Sequence, residues 1–276
     1  DPARGDRERF DVWGTALLAA TLAAAALAMT SGRRAAGGQL AMLVSLAVVG
    51  AAVFVAVERR AAAPLVPLGM LRDAVLGPAL LTNAAVSAVL MATLVVGPFH
   101  LTRALGLTAS QAGLVMAVGP VVSAITGVPA GRLVDRVGPR RMARVGLLGV
   151  AVGAALLAAS GATTLGYLLP LAVMTSSYAL FQAANNTAVM TDVAAARRGV
   201  VSGLLSLSRN LGLMTGAALL GAVFAAACGA ADVADAAPDA VAAAMRVTFG
   251  VAALVVAGAG GVGARWAARA ARGGRA

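Results

Sequence analysis

The sequence has no lysine, one histidine, one cysteine, few aromatic residues and little charge of any kind. Its 276 residues include 22 basic ones, every one arginine, against 11 acidic, with aromatics at 4%. Charged residues make up 12% and hydrophobic ones 60%, whereas a soluble domain is about 25% charged and under half apolar. A mean hydropathy of +0.89 completes the case for a chain built for a bilayer. Cys228 cannot form an internal disulfide, so it gives no redox information. No nucleophile–base pair, metal-spaced cluster or phosphate loop is visible, so an enzyme reading has little chemistry to stand on and no cofactor or metal is expected. The arginine-only, alanine-rich bias reads as a GC-rich coding sequence and says nothing of function. The opening "DPARGDRERFD" is hydrophilic and mixed in charge, unlike a signal peptide. The chain is therefore expected to begin mid-protein.

What is there in abundance is apolar runs. About eight can cross roughly 30 Å of hydrocarbon at about 1.5 Å per residue. They fall near 13–31, 39–57, 77–98, 112–130, 143–160, 166–189, 200–227 and 247–265. None alternates like a strand, so the fold class is all-α, a polytopic membrane helical bundle. Two connections are long, 58–73 and 229–246, and Pro64 and Pro67 interrupt any helix in the first. A net charge of +11 could mark a nucleic-acid partner or positive-inside loops. The long spans favour loops, and no nucleic acid is expected. With the N-terminus inside, inside segments hold seventeen arginines and outside segments only Arg33, Arg34, Arg103 and Arg246, with Arg209 inside a span.

The stretch "GRLVDRVGPRR", 131–141, gathers five charges in an inside loop between the fourth and fifth spans. Its pattern, Gly131-x-x-x-Asp135-Arg136-x-Gly138-x-Arg140-Arg141, resembles the cytoplasmic loop signature of the major facilitator superfamily. "ERRAAAPLVPLGMLR" is similar to the segment after the two extra spans of the fourteen-helix drug:proton antiporter branch. "RRGVVSGLLSLSRNLGLMTGAALLGAVF" is similar to that branch's penultimate helix. Pro139 departs from the pattern, standing where the family more often has a basic residue. The resemblance covers nearly the whole chain. It implies a first part, 1–73, of linker, two extra helices and an amphipathic inside segment, and a second part, 74–276, of six helices forming the C-terminal bundle. It also implies a missing N-terminal half and a multi-pass location in a bacterial plasma membrane. The implied activity is export of a small hydrophobic drug or natural product, with the proton as coupling ion. The alternatives are a polytopic scaffold or membrane enzyme subunit, or an inactive fragment.

The loop can be argued on its own physics. Asp135 lies among Arg132, Arg136, Arg140 and Arg141 and can accept charge-assisted hydrogen bonds from them or from a helix N-terminus. Gly131 and Gly138 permit close backbone approach and positive φ. Such a cluster can latch two helix bundles on the inside face and bias the inward–outward equilibrium. Topology charge alone, with Asp135 merely solvated, is the other reading.

Polar groups within spans are few. Arg209 lies about 15 Å deep at helical rise and is expensive there unless it faces the bundle, a partner or water. It is expected to point into the bundle and hydrogen-bond neighbouring spans, with Gln182, Asn185 and Asn186 as candidate partners, or to snorkel inward. Those three amides recur at i, i+3 and i+4 on one helix face and suit either substrate lining or helix–helix bonding. Asn83, Ser87 and Thr93 form a thinner stripe better suited to packing. "GAGGVG", 258–263, matches a dinucleotide fingerprint in letters alone, and helix packing explains it, as it does Gly212 and Gly216. His100, at an outer span end, is expected at the surface. The expected spans hold no Asp or Glu, so a proton-coupling carboxylate is expected in the missing half. The arginine split makes a topology prediction: Gly37→Cys is labelled by an impermeant thiol reagent from outside intact cells, and Ala62→Cys only after permeabilisation. External labelling at both positions would sink the topology.

Overall fold

Each apolar run from residue 76 onward folds as one long helix. The structure, a computed structural model, describes residues 73–161, 163–229 and 233–273, together with Val49 and Val53. The chain divides into two compact units, 1–73 and 74–276. The first, with its two expected spans and the 58–73 segment, lies outside the described residues apart from Asp73 and the helical, exposed Val49 and Val53. In the second, the helices are α1 (Leu76–Phe99), α2 (Ala109–Val137), α3 (Pro139–Ala159), α4 (Thr164–Met190), α5 (Arg198–Cys228) and α6 (Pro238–Gly273). Among the described residues all six are long and apolar enough to cross a membrane. The described unit is an all-α helical bundle, as the hydropathy required.

Local chemistry sets the ends. Thr108 and Gln111 form a reciprocal capping box at the start of α2, with Thr108 N–H donating to Gln111 Oε1 at 2.9 Å. Thr163 Oγ1 accepts from Gly166 N–H at 3.0 Å to cap α4. Gly229, at φ 66°, closes α5 in the left-handed conformation.

Two boundaries correct the sequence reading. The charged stretch 131–141 is not a loop. Residues through Val137 complete α2, Pro139 opens α3, and Gly138 alone breaks the helix, at φ 100°. Arginine and leucine are good helix formers, and proline suits the first helical position, so one glycine makes the turn. Residues 238–246 are not a connection either. Pro238 starts α6 with Asp239 in its first turn, where an acid favours the helix dipole.

By the arginine orientation α1, α3 and α5 run outward and α2, α4 and α6 inward. Helix α1 packs on α5 as α4 packs on α2, α3 packs on α4 as α6 packs on α1, and α3 and α6 pack on each other. Exchanging the first three helices with the last three maps these pairings onto one another, although the α5–α6 packing has only a thin counterpart in α2–α3. Since α1 and α4 run in opposite directions, the triplets are inverted repeats. The shared apolar core is built on Val86, Leu157, Tyr167, Phe181, Phe224 and Phe249, all nearly inaccessible.

Two interfaces are set by glycine. A Cβ on Gly212 or Gly216 would fall against the backbone carbonyl of Ala84 or Ala88, so parallel α1 and α5 touch backbone to backbone. Across antiparallel α3 and α4, a Cβ on Gly146 would lie 2.6 Å from Phe181 N, and one on Gly153 2.6 Å from Met174 Cβ. Small residues of this kind permit the dispersion contacts that join helices in lipid. Gly212→Val and Gly216→Val are each expected to lower the stability of the detergent-purified protein by about 1–3 kcal/mol. Gly113→Ala and Gly127→Ala, where a Cβ meets nothing within 4 Å, should leave it unchanged or raise it. Thermal melting of the four variants checks this, and equal melting of both pairs would refute the close-packing account.

Candidate functional site

Four of the polar residues singled out in the spans converge. Asn83 of α1, Gln182 and Asn186 of α4 and Arg209 of α5 line one cavity of about 150 Å³, with Met190, Ser202, Leu205 and Ser206. Asn83 lies seven residues past the start of α1, Gln182 eight before the end of α4 and Arg209 eleven past the start of α5. At helical rise those are depths of about 10–17 Å from the inner helix ends. With the orientation that the arginines imply, the cavity falls in the inner half of the bilayer.

Hydrogen bonds fix part of this lining. Asn83 Nδ2 donates to the carbonyl of Leu205 at 2.9 Å, tying α1 to α5. A carbonyl only accepts, so the amide orientation is settled. Asn83 Oδ1 is then left buried with no partner. Ser208 Oγ donates to the Leu80 carbonyl at 2.6 Å and reinforces the same seam. Gln182 Nε2 donates to Tyr178 Oη at 3.1 Å, and Gln182 Oε1 is likewise buried and unpartnered. Arg209 is exposed and, among the described residues, makes neither hydrogen bond nor ion pair. The expected bonds to neighbouring helices are thus not made; the guanidinium shares a cavity with the amides instead. Asn185 departs from its neighbours. It is 4% exposed, does not line the cavity and leaves Nδ2 unpaired between helices. Ser202 and Ser206, a turn apart and leading to Arg209, were the overlooked sequence signal on α5.

A second, apolar cavity of about 180 Å³ lies between α1, α2 and α4, lined by Leu90, Thr93, Leu94, Met116, Gly119, Pro120, Ser123, Tyr167, Leu171, Thr175 and Tyr178. Under the repeat exchange its three helices become α4, α5 and α1, those of the polar cavity. The Tyr178–Gln182 bond joins the two, since Tyr178 lines one and Gln182 the other. In the sequence Thr93 reads as packing and neither Tyr167 nor Tyr178 stands out; their convergence depends on how α1, α2 and α4 meet.

His100 also departs from expectation. It is 3% exposed, not on the surface. It opens a π-helical turn, His100–Ala104, that continues α1, and its ring stacks on Tyr167 with centroids 5.9 Å apart. Neither ring nitrogen has a hydrogen-bond partner. The π turn, a feature hydropathy does not reveal, places this ring inside the bundle.

At the inner face, the α2–α3 joint brings Gly138, Arg140 and Arg141 into a hollow of about 350 Å³ with Thr191 and Asp192 at the end of α4. Asp192 was not singled out from sequence. Asp135 and Arg136 are exposed, and Asp135 pairs with no arginine among the described residues. Gly131 sits within α2, where a Cβ would meet nothing within 4 Å, so no close approach in this unit requires it.

The sequence matches the family model of the Major Facilitator Superfamily over residues 12–217 and again over 79–274. It is 32% identical over 221 residues to the multidrug resistance protein Stp of Mycobacterium tuberculosis, covering 79% of this chain and 41% of that protein. It is 29% identical over 184 residues to the multidrug efflux pump LfrA of Mycolicibacterium smegmatis, covering 66% and 36%. It is 32% identical over 204 residues to the drug efflux pump JefA of Mycobacterium tuberculosis, covering 70% and 39%. The chain spans about two fifths of the length of these curated relatives.

The buried imidazole yields a stability test. Replacing a buried polar group that has no partner by an apolar one of similar size removes a desolvation cost. His100→Leu is expected to hold the melting temperature in detergent or raise it, by a gain of up to about 1 kcal/mol. A loss of about 2 kcal/mol or more would mean that the ring nitrogens are engaged.

Proposed function

Because the chain belongs to the Major Facilitator Superfamily, we propose that it works as part of a secondary transporter that exports small hydrophobic molecules in exchange for protons entering down their gradient. It is a multi-pass protein of the bacterial cell membrane, and its family is one of transporters, not enzymes. The observation that carries the reading is the pair of cavities joined by the Tyr178–Gln182 hydrogen bond. An apolar hollow beside a small set of convergent polar groups is what a drug-sized molecule requires of a site. That hollow lies deep between helices, and the inverted repeat supplies the symmetry for alternating access.

In this reading the α1–α6 bundle rocks against a second helical bundle, and the cavities open in turn to the two sides. The inner-face residues serve as the latch. Asp135, unpaired with the arginines beside it, accepts hydrogen bonds from the opposing bundle when the inner side is closed. Arg136, Arg140 and Arg141 keep the joint at the membrane surface, Gly138 gives the sharp turn, and Gly131 leaves room for the opposing bundle. Proton coupling requires a group that changes charge within the membrane. Arginine does not titrate near neutral pH and no carboxylate is buried among the described residues, so a coupling carboxylate belongs to the opposing bundle, with the buried His100 the titratable group this bundle offers beside it. Gln182, Asn186, Arg209 and Asn83 line the substrate route, while Asn185 is packed away from it between helices.

The test uses the full gene product in a drug-sensitive bacterial strain loaded with a lipophilic fluorescent dye. Dye accumulation is expected to fall several-fold relative to empty vector and to recover when a protonophore collapses the gradient. Asp135→Asn should reduce the export and make the inner vestibule more reactive to thiol reagents. Equal accumulation with the protein present in the membrane would overturn the export reading. Export untouched by the protonophore would overturn the coupling.

A further inference from the structure

The inner cavity is chemically more particular than a surface for hydrophobic drugs. Its two fixed features are opposite in kind. Arg209 brings a planar, permanently charged donor with no counter-ion among the described residues. Asn83, 2% exposed, brings an acceptor oxygen that its own bond to Leu205 leaves without a donor. Gln182, whose Oε1 is also buried without a donor, borders the same cavity. An intramembrane cation calls for an anion, and a buried amide oxygen calls for an N–H or O–H.

We infer that the inner cavity binds the head of an amphiphilic organic acid, in which a carboxylate has a hydrogen-bond donor beside it. The carboxylate takes the two parallel N–H bonds of the Arg209 guanidinium. The neighbouring N–H or O–H donates to Asn83 Oδ1 or Gln182 Oε1. About 150 Å³ holds such a head and not a whole drug-sized molecule, so the apolar body extends beyond the cavity. The N-acylated amino acids have this pattern: carboxylate, adjacent amide N–H, lipophilic acyl group. A simple lipophilic cation has the wrong sign for Arg209 and no anion to offer. The inference deepens the proposed export function and rests on it for the direction of movement; binding itself rests on the cavity.

The experiment measures binding, separately from export. Dansyl-phenylalanine has a carboxylate, an adjacent sulfonamide N–H and an apolar body, and its fluorescence rises in an apolar site. It is titrated into the detergent-purified full gene product beside its methyl ester and its N-methyl analogue. The acid is expected to bind about ten- to a hundredfold more tightly than the ester, and about three- to tenfold more tightly than the N-methyl analogue. Arg209→Ala should remove the preference for acid over ester, and Arg209→Lys should keep part of it. Arg209 holds no other group, so its substitution does not endanger folding. Asn83→Ala should weaken the acid about three- to tenfold and leave the N-methyl analogue unchanged; if that variant fails to fold, Gln182→Leu asks the same question. Equal binding of acid and ester, or an unchanged preference in Arg209→Ala, would overturn the assignment. In that event continued dye export by the same protein would leave the transport reading standing.

Discussion

Helices in a bilayer gain nothing by hiding leucine from lipid, so backbone proximity has to hold this bundle together. The contact of Gly212 and Gly216 with Ala84 and Ala88 is the constraint on which the rest depends. Only with α1 and α5 in backbone contact can Asn83 reach the Leu205 carbonyl and Ser208 the Leu80 carbonyl. That seam also decides which side chains of α1 and α5 border the same hollow. The glycine stripe of α3 does the same for α4, holding it at Phe181 and so fixing where Gln182, the next residue, emerges. The cavity is a by-product of two close seams that share no helix.

Polar groups at this depth divide by whether the bundle satisfies them. Thr82, Thr175 and Thr248 bond back to carbonyls three or four residues earlier in their own helices and are chemically spent. Asn83, Gln182 and Asn185 keep an unused atom each. An unsatisfied amide in a buried setting is costly, so the bundle carries a standing penalty along α1 and α4. A molecule that relieves it gains affinity without any new apolar contact.

Much of the second unit could be read from residues 74–276 alone. Apolar runs this long in so poorly charged a chain leave little choice but membrane helices. Arg209, Asn83, Gln182 and Asn186 stood out because polar groups are rare there, and rarity drew the eye to residues that share a cavity. What stayed hidden was geometry that composition does not encode. Charge density made 131–141 look like a loop, yet the helices run past the hydrocarbon and only Gly138 turns. His100 looked peripheral by position, yet the π turn and Tyr167, sixty-seven residues later, enclose it. Asn185 shares a helical face with its neighbours by spacing, but one position's rotation separates a residue lining a hollow from one wedged between helices.

The length of α6 determines how the protein sits in its bilayer. At 36 residues it is about 54 Å long, well beyond the roughly 30 Å of hydrocarbon, and tilt absorbs only part of the excess. Its exposed arginines, Arg246 and Arg265, stand nineteen residues apart, about 28 Å along the helix. That spacing is nearly the thickness of the apolar layer, so one guanidinium rests in each headgroup region. Sliding the protein up or down would draw a charge toward the hydrocarbon, at a cost that climbs with depth to about 2.5–3.5 kcal/mol at the centre of the layer. The helix is thus a depth gauge, on which vertical excursions are expensive.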